Sequence, residues 1–195
     1  ILMVSQNYRF YPAVRAVQKV LRSGRLGKVS NVAIDFRRYS NRGDPKRKHF
    51  HIVEPLLLDM AVHQFDLLRG VLGCEPRSVV CRPSNPSWSL FDQPPTAAAL
   101  MHFGRDIVVS YRGSWIAHKS QTTWAGEWTI ECEKGALVWT SRGHLPEQVV
   151  VHRNGHEDKV VPLPKLRYED RSGCLDAFVR AVRSGRQPET SGRDN

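Results

Sequence analysis

PLLLDMAVHQFDLLRGVLG, residues 55–73, has the apolar period of a helix, yet one stripe of that helix is polar. Asp59, His63 and Asp66 are spaced i, i+4 and i+7, which sets an acid, an imidazole and a second acid one above the other on a single face. Leu57, Leu58, Ala61, Val62, Phe65, Leu68 and Leu72 fill most of the remaining circumference. A helix this apolar is expected to be largely buried. Ionisable groups on a buried helix cost free energy unless they are paired or line a cleft. The stretch therefore reads as a helix that carries a site.

Upstream, residues 2–4 read as a short apolar strand and 11–23 as a helix. Pro12 stands in the first turn of that helix and Gly24 just past its end. Val14, Val17 and Leu21 form its buried stripe. Residues 29–39 alternate, with Val32, Ile34 and Phe36 facing one way and Ala33, Asp35 and Arg37 the other, as in a half-buried strand. Residues 41–54 are a loop rich in charge and histidine.

Beyond Gly73 the period changes to that of strands: 77–82, 96–103, 107–116, 124–132, 136–141, 148–152 and 159–163. Hairpin turns are expected at Gly104-Arg105-Asp106, Glu133-Lys134-Gly135 and Asn154-Gly155. Residues 170–184 close the chain as a helix with Leu175, Phe178, Val179 and Val182 on its buried face. The fold class expected is α+β: a large, open, mostly antiparallel sheet with helices packed on one face. Trp115, Trp124, Trp128 and Trp139 fall in the strand region. They are either interface aromatics on the open face or core packing under the helices.

A chain of 195 residues with 41% hydrophobic content can bury one sizeable core. No apolar run approaches the ~20 residues that span a bilayer, and no signal-peptide pattern is present. Cys74, Cys81, Cys132 and Cys174 show no C-x-x-C spacing, which suits free thiols in a reducing cytoplasm. The net charge is +10, with the densest basic segment at Arg37, Arg38, Arg42, Lys46, Arg47 and Lys48. No nucleic-acid-binding motif accompanies it. A basic loop beside a site for an anionic cofactor or substrate fits better.

Taken alone, His63 reads as a core histidine bonded to a neighbour. Asp59 and Asp66 change that reading, because a carboxylate one turn away can orient the ring and raise its pKa toward neutrality. An imidazole so tuned suits proton transfer, for example from a hydroxyl that is losing hydride. The rival chemistry is a metal held by His49, His51, Asp59 and His63. It is disfavoured by the weak H-x-H signal and by Lys46, Arg47 and Lys48, which repel a cation. No G-x-G-x-x-G, G-x-x-x-x-G-K-[ST] or G-x-S-x-G motif occurs.

The 55–73 stretch resembles the D-x-x-x-H-x-x-D helix of the glucose–fructose oxidoreductase / inositol dehydrogenase family (Gfo/Idh/MocA). QNYRFYPAVRAVQKVLRSGRLGKVSNV, GEWTIECEKGALVW and LDAFVRAVRSGRQPETSGRDN are similar to further family segments, in the family's order. The resemblance implies an NAD(P)-dependent dehydrogenase or reductase of sugars, polyols or related compounds. It implies that 1–195 is the C-terminal substrate-binding and oligomerisation domain, with an N-terminal Rossmann domain outside this chain and a final helix after 195. His63 would be the acid/base and Asp59 would bind substrate and orient a lysine of the other domain. Asp66 would support His63 or the helix packing, and Arg9 would lie near the domain junction. NAD or NADP would serve the whole protein, with no cofactor-binding residue and no metal in this piece, which is expected to be inactive alone. A sugar or polyol substrate and a homo-oligomer built through the open sheet face are the implied partners, in the cytoplasm, with neither nucleic acid nor membrane. The alternative is a non-catalytic, sugar-responsive regulatory or binding module of the same fold. One departure stands out: where the family often has a Gly-Gly pair before the Asp, this chain has Glu54 and Pro55.

Overall fold

The computed structural model describes residues 1–104, 106–119, 121–140 and 146–195. The elements are α1 (Pro12–Arg22), β1 (Val29–Arg37), α2 (Val62–Leu72), β2 (Pro76–Ser84), β3 (Thr96–Phe103), β4 (Ile107–Ser114), β5 (Glu127–Cys132), β6 (Gly135–Thr140), β7 (Gln148–His152), β8 (Lys159–Val161) and α3 (Asp170–Ser184). Among the described residues, eight strands form one sheet in the order β2-β3-β4-β1-β5-β6-β7-β8. Neighbours pair antiparallel, except that β1 lies parallel to β4, in register Asn31↔Val108 to Arg37↔Ser114. A parallel pair needs a crossover. Here α2 and the β2–β3 hairpin lie between the two strands in sequence, and this routing delivers α2 to one face of the sheet.

That face holds the core. Val32, Ile34 and Phe36 of β1 are 0, 3 and 0% exposed. Val14 and Val17 of α1 are sealed as expected, while Leu21 is only partly buried. Gln18 ties α1 to α2 by donating from Nε2 to the Gly70 carbonyl at 2.9 Å. Trp128 and Trp139 also lie on the covered side, fully buried and stacked at 5.5 Å, and Trp115 is buried against Phe36. Of the two readings of the tryptophans, core packing therefore holds for these three. The fourth, Trp124, is exposed, at 45%, in the loop before β5.

The open face carries small residues and an ionic network instead. Arg37 donates to Asp35 and, at 2.7 Å, to Glu127, while Arg112 reaches Asp35 at 2.8 Å. Partial burial opposes the charge of Asp35. The hydrogen bonds from Arg112 and Arg37 outweigh it and hold the carboxyl below its usual range.

Two expectations about the ends of the chain are corrected. Residues 2–4 make a single bridge, Met3 to Ser191, rather than a strand. The closing helix has its expected bounds, but Leu175, Phe178, Val179 and Val182 are 64, 37, 36 and 54% exposed. α3 docks by its small side, Gly173, Cys174 and Ala181. The cause is close approach: a Cβ on Gly173 would lie 2.7 Å from Cβ of Phe10 in the 3₁₀ turn Asn7–Phe10. The strands expected at 107–116, 124–132 and 159–163 are shorter than their sequence patterns, whereas 77–82 extends to Pro76–Ser84. Arg105 of the first expected hairpin and Ser141 at the end of 136–141 lie outside the described residues. Among the described residues no helix is long and apolar enough to cross a membrane.

Candidate active site

The helix expected over 55–73 has two parts. Leu57–Ala61 is a π-helical turn, and α2 follows from Val62. The Leu56 carbonyl accepts from Ala61 N at 2.7 Å, five residues on, as well as from Met60 N at 3.2 Å. A π turn widens the helix by one residue, so Asp59 is displaced from an ideal α-helical stripe. The segment enters through Glu54, whose φ of 46° is left-handed. Glycine is the residue that adopts such a φ without steric cost. Glu54 also buries an Oε2 with no partner. Glu54→Gly is expected to stabilise the fold by about 1 kcal/mol by relieving both costs; a lower urea midpoint would contradict this.

The three polar residues of the stripe meet different surroundings. Asp66 is 5% exposed and faces Arg9, which is 8% exposed. Arg9 Nε and Nη2 donate to the two carboxylate oxygens at 2.7 Å each, and Nη2 also donates to the Asp66 carbonyl at 3.1 Å. The two residues singled out separately in the sequence are thus partners in one buried, bidentate ion pair. Gly70 makes room for it, since a Cβ there would lie 2.9 Å from Cζ of Arg9. Asp59 is exposed.

His63 lies between these extremes, half-buried on α2. Its Nδ1 is 2.9 Å from Oε1 of Gln6. An amide oxygen can only accept, so Nδ1 carries the proton and Nε2 keeps its lone pair. The ring packs on Tyr8 at 4.5 Å, and Tyr8 stacks on Tyr11 at 4.9 Å. Burial pushes the imidazole pKa below its ordinary value, against the upward pull of Asp59 and, less strongly, of Asp66. The sequence expectation of a carboxylate-raised pKa is corrected: desolvation by burial outweighs the acids. Burial likewise raises the Tyr8 phenol far above its usual range.

Around this pair the structure gathers residues that sequence reasoning passed over. Gln6, Tyr8 and Tyr11 flank Arg9, and the only sequence signal for them is two tyrosines three apart on either side of it. Buried Gln64, next to His63, donates from Nε2 to the Trp124 carbonyl at 2.7 Å. The Trp124 ring in turn carries the Arg38 guanidinium, with Cζ 4.0 Å from its centroid. Arg38 belongs to the segment read as a basic loop, but it is half-buried and its charge acts on Tyr8.

The proposed metal ligands do not converge. His49 packs among Phe50, Phe91 and Trp115. His51 turns to Asp92, with Nδ1 2.7 Å from Oδ2. Among the described residues no group of three or more His, Cys, Asp or Glu is placed to hold a metal.

Comparison with known proteins bears on the family and the fold. The family model described as GFO/IDH/MocA C-terminal domain matches residues 14–138, which include Arg38, Asp59, His63, Asp66 and Trp124. An inositol 2-dehydrogenase of Rhizobium meliloti is 38% identical over 201 residues, covering 99% of this chain and 58% of the relative. An uncharacterised protein of Sinorhizobium fredii is 26% identical over 77% of this chain and 41% of its own length. The chain thus spans about half the length of the curated relatives it matches. Among solved structures, an aldose-aldose oxidoreductase from Caulobacter crescentus superposes with a TM-score of 0.82 at 19% identity, over 99% of this chain and 57% of that one. An inositol dehydrogenase homologue from Azotobacter vinelandii, complexed with NADH and myo-inositol, gives 0.74 at 15% identity, over 94% of this chain and 54% of that one. At these identities the superpositions establish the fold.

Proposed function

The chain belongs to the GFO/IDH/MocA family, matching its C-terminal domain, and from that premise we propose that it is the substrate-binding half of an NAD(P)-dependent oxidoreductase acting on a hydroxyl of a sugar, polyol or related compound. The observation that carries this reading is the state of His63. Its Nδ1–H is committed to Gln6, its pKa is held low by burial, and among the described residues no hydrogen bond takes up the Nε2 lone pair. A neutral imidazole with a fixed tautomer is what proton removal from a carbinol requires. In the oxidative direction Nε2 takes the hydroxyl proton, and in the reductive direction it returns it. Asp59, exposed and close enough for its charge to act on His63, would accept a hydrogen bond from a substrate hydroxyl. Its charge also favours the imidazolium that forms as the proton arrives.

The residues present do not fit a dinucleotide. Among the described residues the sheet is antiparallel but for one strand pair, and no glycine-rich loop leads from a strand into a helix. The proposal therefore assigns NAD or NADP, the hydride partner, to a Rossmann domain in the rest of the protein. The lysine that completes the family's site is assigned there too. The open sheet face, with its small residues around the Asp35–Arg37–Glu127 network, is proposed as the contact with a second copy.

The test is an assay of the full-length protein against a panel of sugars and polyols with NAD and NADP, reading nicotinamide reduction. Turnover of at least one hydroxy compound is expected. Absence of turnover across the panel with both cofactors would contradict the reading and favour a regulatory module.

A further inference from the structure

We propose that the Tyr8 hydroxyl donates a hydrogen bond to a second oxygen of the substrate, other than the one whose proton His63 exchanges, so that the compound is recognised by this chain as a polyhydroxy one. The inference rests on the preceding functional reading and deepens it.

Each residue of the 3₁₀ turn Asn7–Phe10 docks on a helix. Asn7 donates from Nδ2 to Oδ1 of Asp170, at the start of α3. Arg9 is paired with Asp66 of α2, and Phe10 lies against Gly173 of α3. Tyr8 lays its ring on the His63 imidazole, with centroids 4.5 Å apart and planes inclined by 32°, and on Tyr11 at 4.9 Å. Gln6, just before the turn, holds Nδ1 of the same imidazole. The residues on both sides of Tyr8 are anchored, so its ring is set relative to His63 before any ligand arrives.

The hydroxyl at the end of that ring is unfinished. Tyr8 is 8% exposed, and a tyrosine placed so deep ordinarily gives its O–H a partner. Among the described residues this one has none. Nor is it shut in. Among the described residues, the partnerless side-chain atoms sealed from solvent are Arg38 Nε, His49 Nε2, Glu54 Oε2 and Trp139 Nε1. The Tyr8 hydroxyl and His63 Nε2 both fall outside that set, so two unbonded polar atoms on adjoining rings reach solvent. Asp59, itself exposed, exerts its charge on both groups. Burial, more than the nearby Asp170, keeps the phenol protonated. It therefore donates, while neutral Nε2 accepts. The two atoms stand on different rings packed against each other, and they meet different oxygens of a bound ligand. A carbinol at Nε2 and a further hydroxyl on the same molecule satisfy both.

The test uses the full-length protein, the compound of the sugar and polyol panel that turns over best, and those of its monodeoxy analogues that still turn over. Tyr8→Phe keeps the ring against His63 and removes only the hydroxyl. It is expected to lower kcat/KM by about 10–100-fold, the scale of a hydrogen bond lost from a buried group. The melting temperature should not move, because no partner within the chain is lost. With the wild type, one deoxy analogue should show a loss of similar size. Tyr8→Phe should add nothing to that loss, since both changes remove the same hydrogen bond. A kcat/KM within about twofold of the wild type overturns the inference. So does a loss that adds in full to that of every analogue, or a lowered melting temperature, either of which makes the hydroxyl part of the fold. These outcomes leave hydride transfer standing. Failure of every compound with both cofactors is the different result that removes the functional reading itself.

Discussion

Replacing His63 by alanine in the full-length protein is expected to lower kcat by about 10²–10⁴-fold, the usual cost of losing a general acid/base. The reason lies in how tightly the surroundings define this ring. Gln6 fixes the tautomer, Tyr8 fixes the plane, and burial keeps the ring uncharged. None of these contacts is needed merely to hold α2 in place, since Leu67, Leu68 and Val71 already bury that helix. The loss should therefore appear in kcat far more than in melting temperature. His63→Gln, which keeps a hydrogen-bonding group of similar reach, should not recover the rate, because an amide cannot take the proton. A variant with near-normal kcat and a lowered melting temperature would make His63 a packing residue.

Breaking the Arg9–Asp66 pair should have the largest effect on stability. Both side chains are out of water; without Arg9 the Asp66 carboxylate is left buried and unpaired, and without Asp66 the guanidinium keeps only the more distant Glu189, at 3.9 Å. Arg9→Ala or Asp66→Ala is expected to cost about 3–5 kcal/mol by urea unfolding. The double replacement Arg9→Met with Asp66→Leu should cost less than either single change, because neither charge is then left alone. Gly70→Ala should mimic the single variants in part, since its methyl would intrude on the guanidinium of Arg9. Single variants within about 0.5 kcal/mol of the wild type, the ordinary range of surface substitutions, would show that the pair is not the clamp joining the amino-terminal turn to α2.

Much of this architecture is written locally. The alternation in Thr96–Phe103 and the bounds of Asp170–Ser184 are legible because each is decided by neighbours along the chain. What covers an apolar stripe is decided elsewhere. The period of α3 reports Leu175, Phe178, Val179 and Val182 as one stripe, but it cannot report that Gly173 lets Phe10 dock on another side. For the same reason the sequence places Trp128 and Trp139 in strands without saying which sheet face they occupy. The π turn is hidden because its extra residue leaves the apolar count almost unchanged. In the site, Asp59, His63, Asp66 and Arg9 are all visible as unusual residues. Their partnerships are not, because Arg9 meets Asp66 across 57 positions and Gln6 meets His63 across the same separation. The direction of the His63 pKa follows from burial, a tertiary fact, and not from the acids on its own helix.

The account depends on His63 acting as a neutral base. The direct measurement is the pH dependence of kcat/KM for oxidation by the full-length protein and its His63→Ala variant. The base must be unprotonated, so the rate falls as pH drops through its pKa. Since burial places that pKa below the ordinary imidazole value of 6.5, the acid limb is predicted to begin below pH 6.5 and to disappear in the variant. An acid limb centred above 6.5, or one that persists unchanged without the imidazole, would contradict the account.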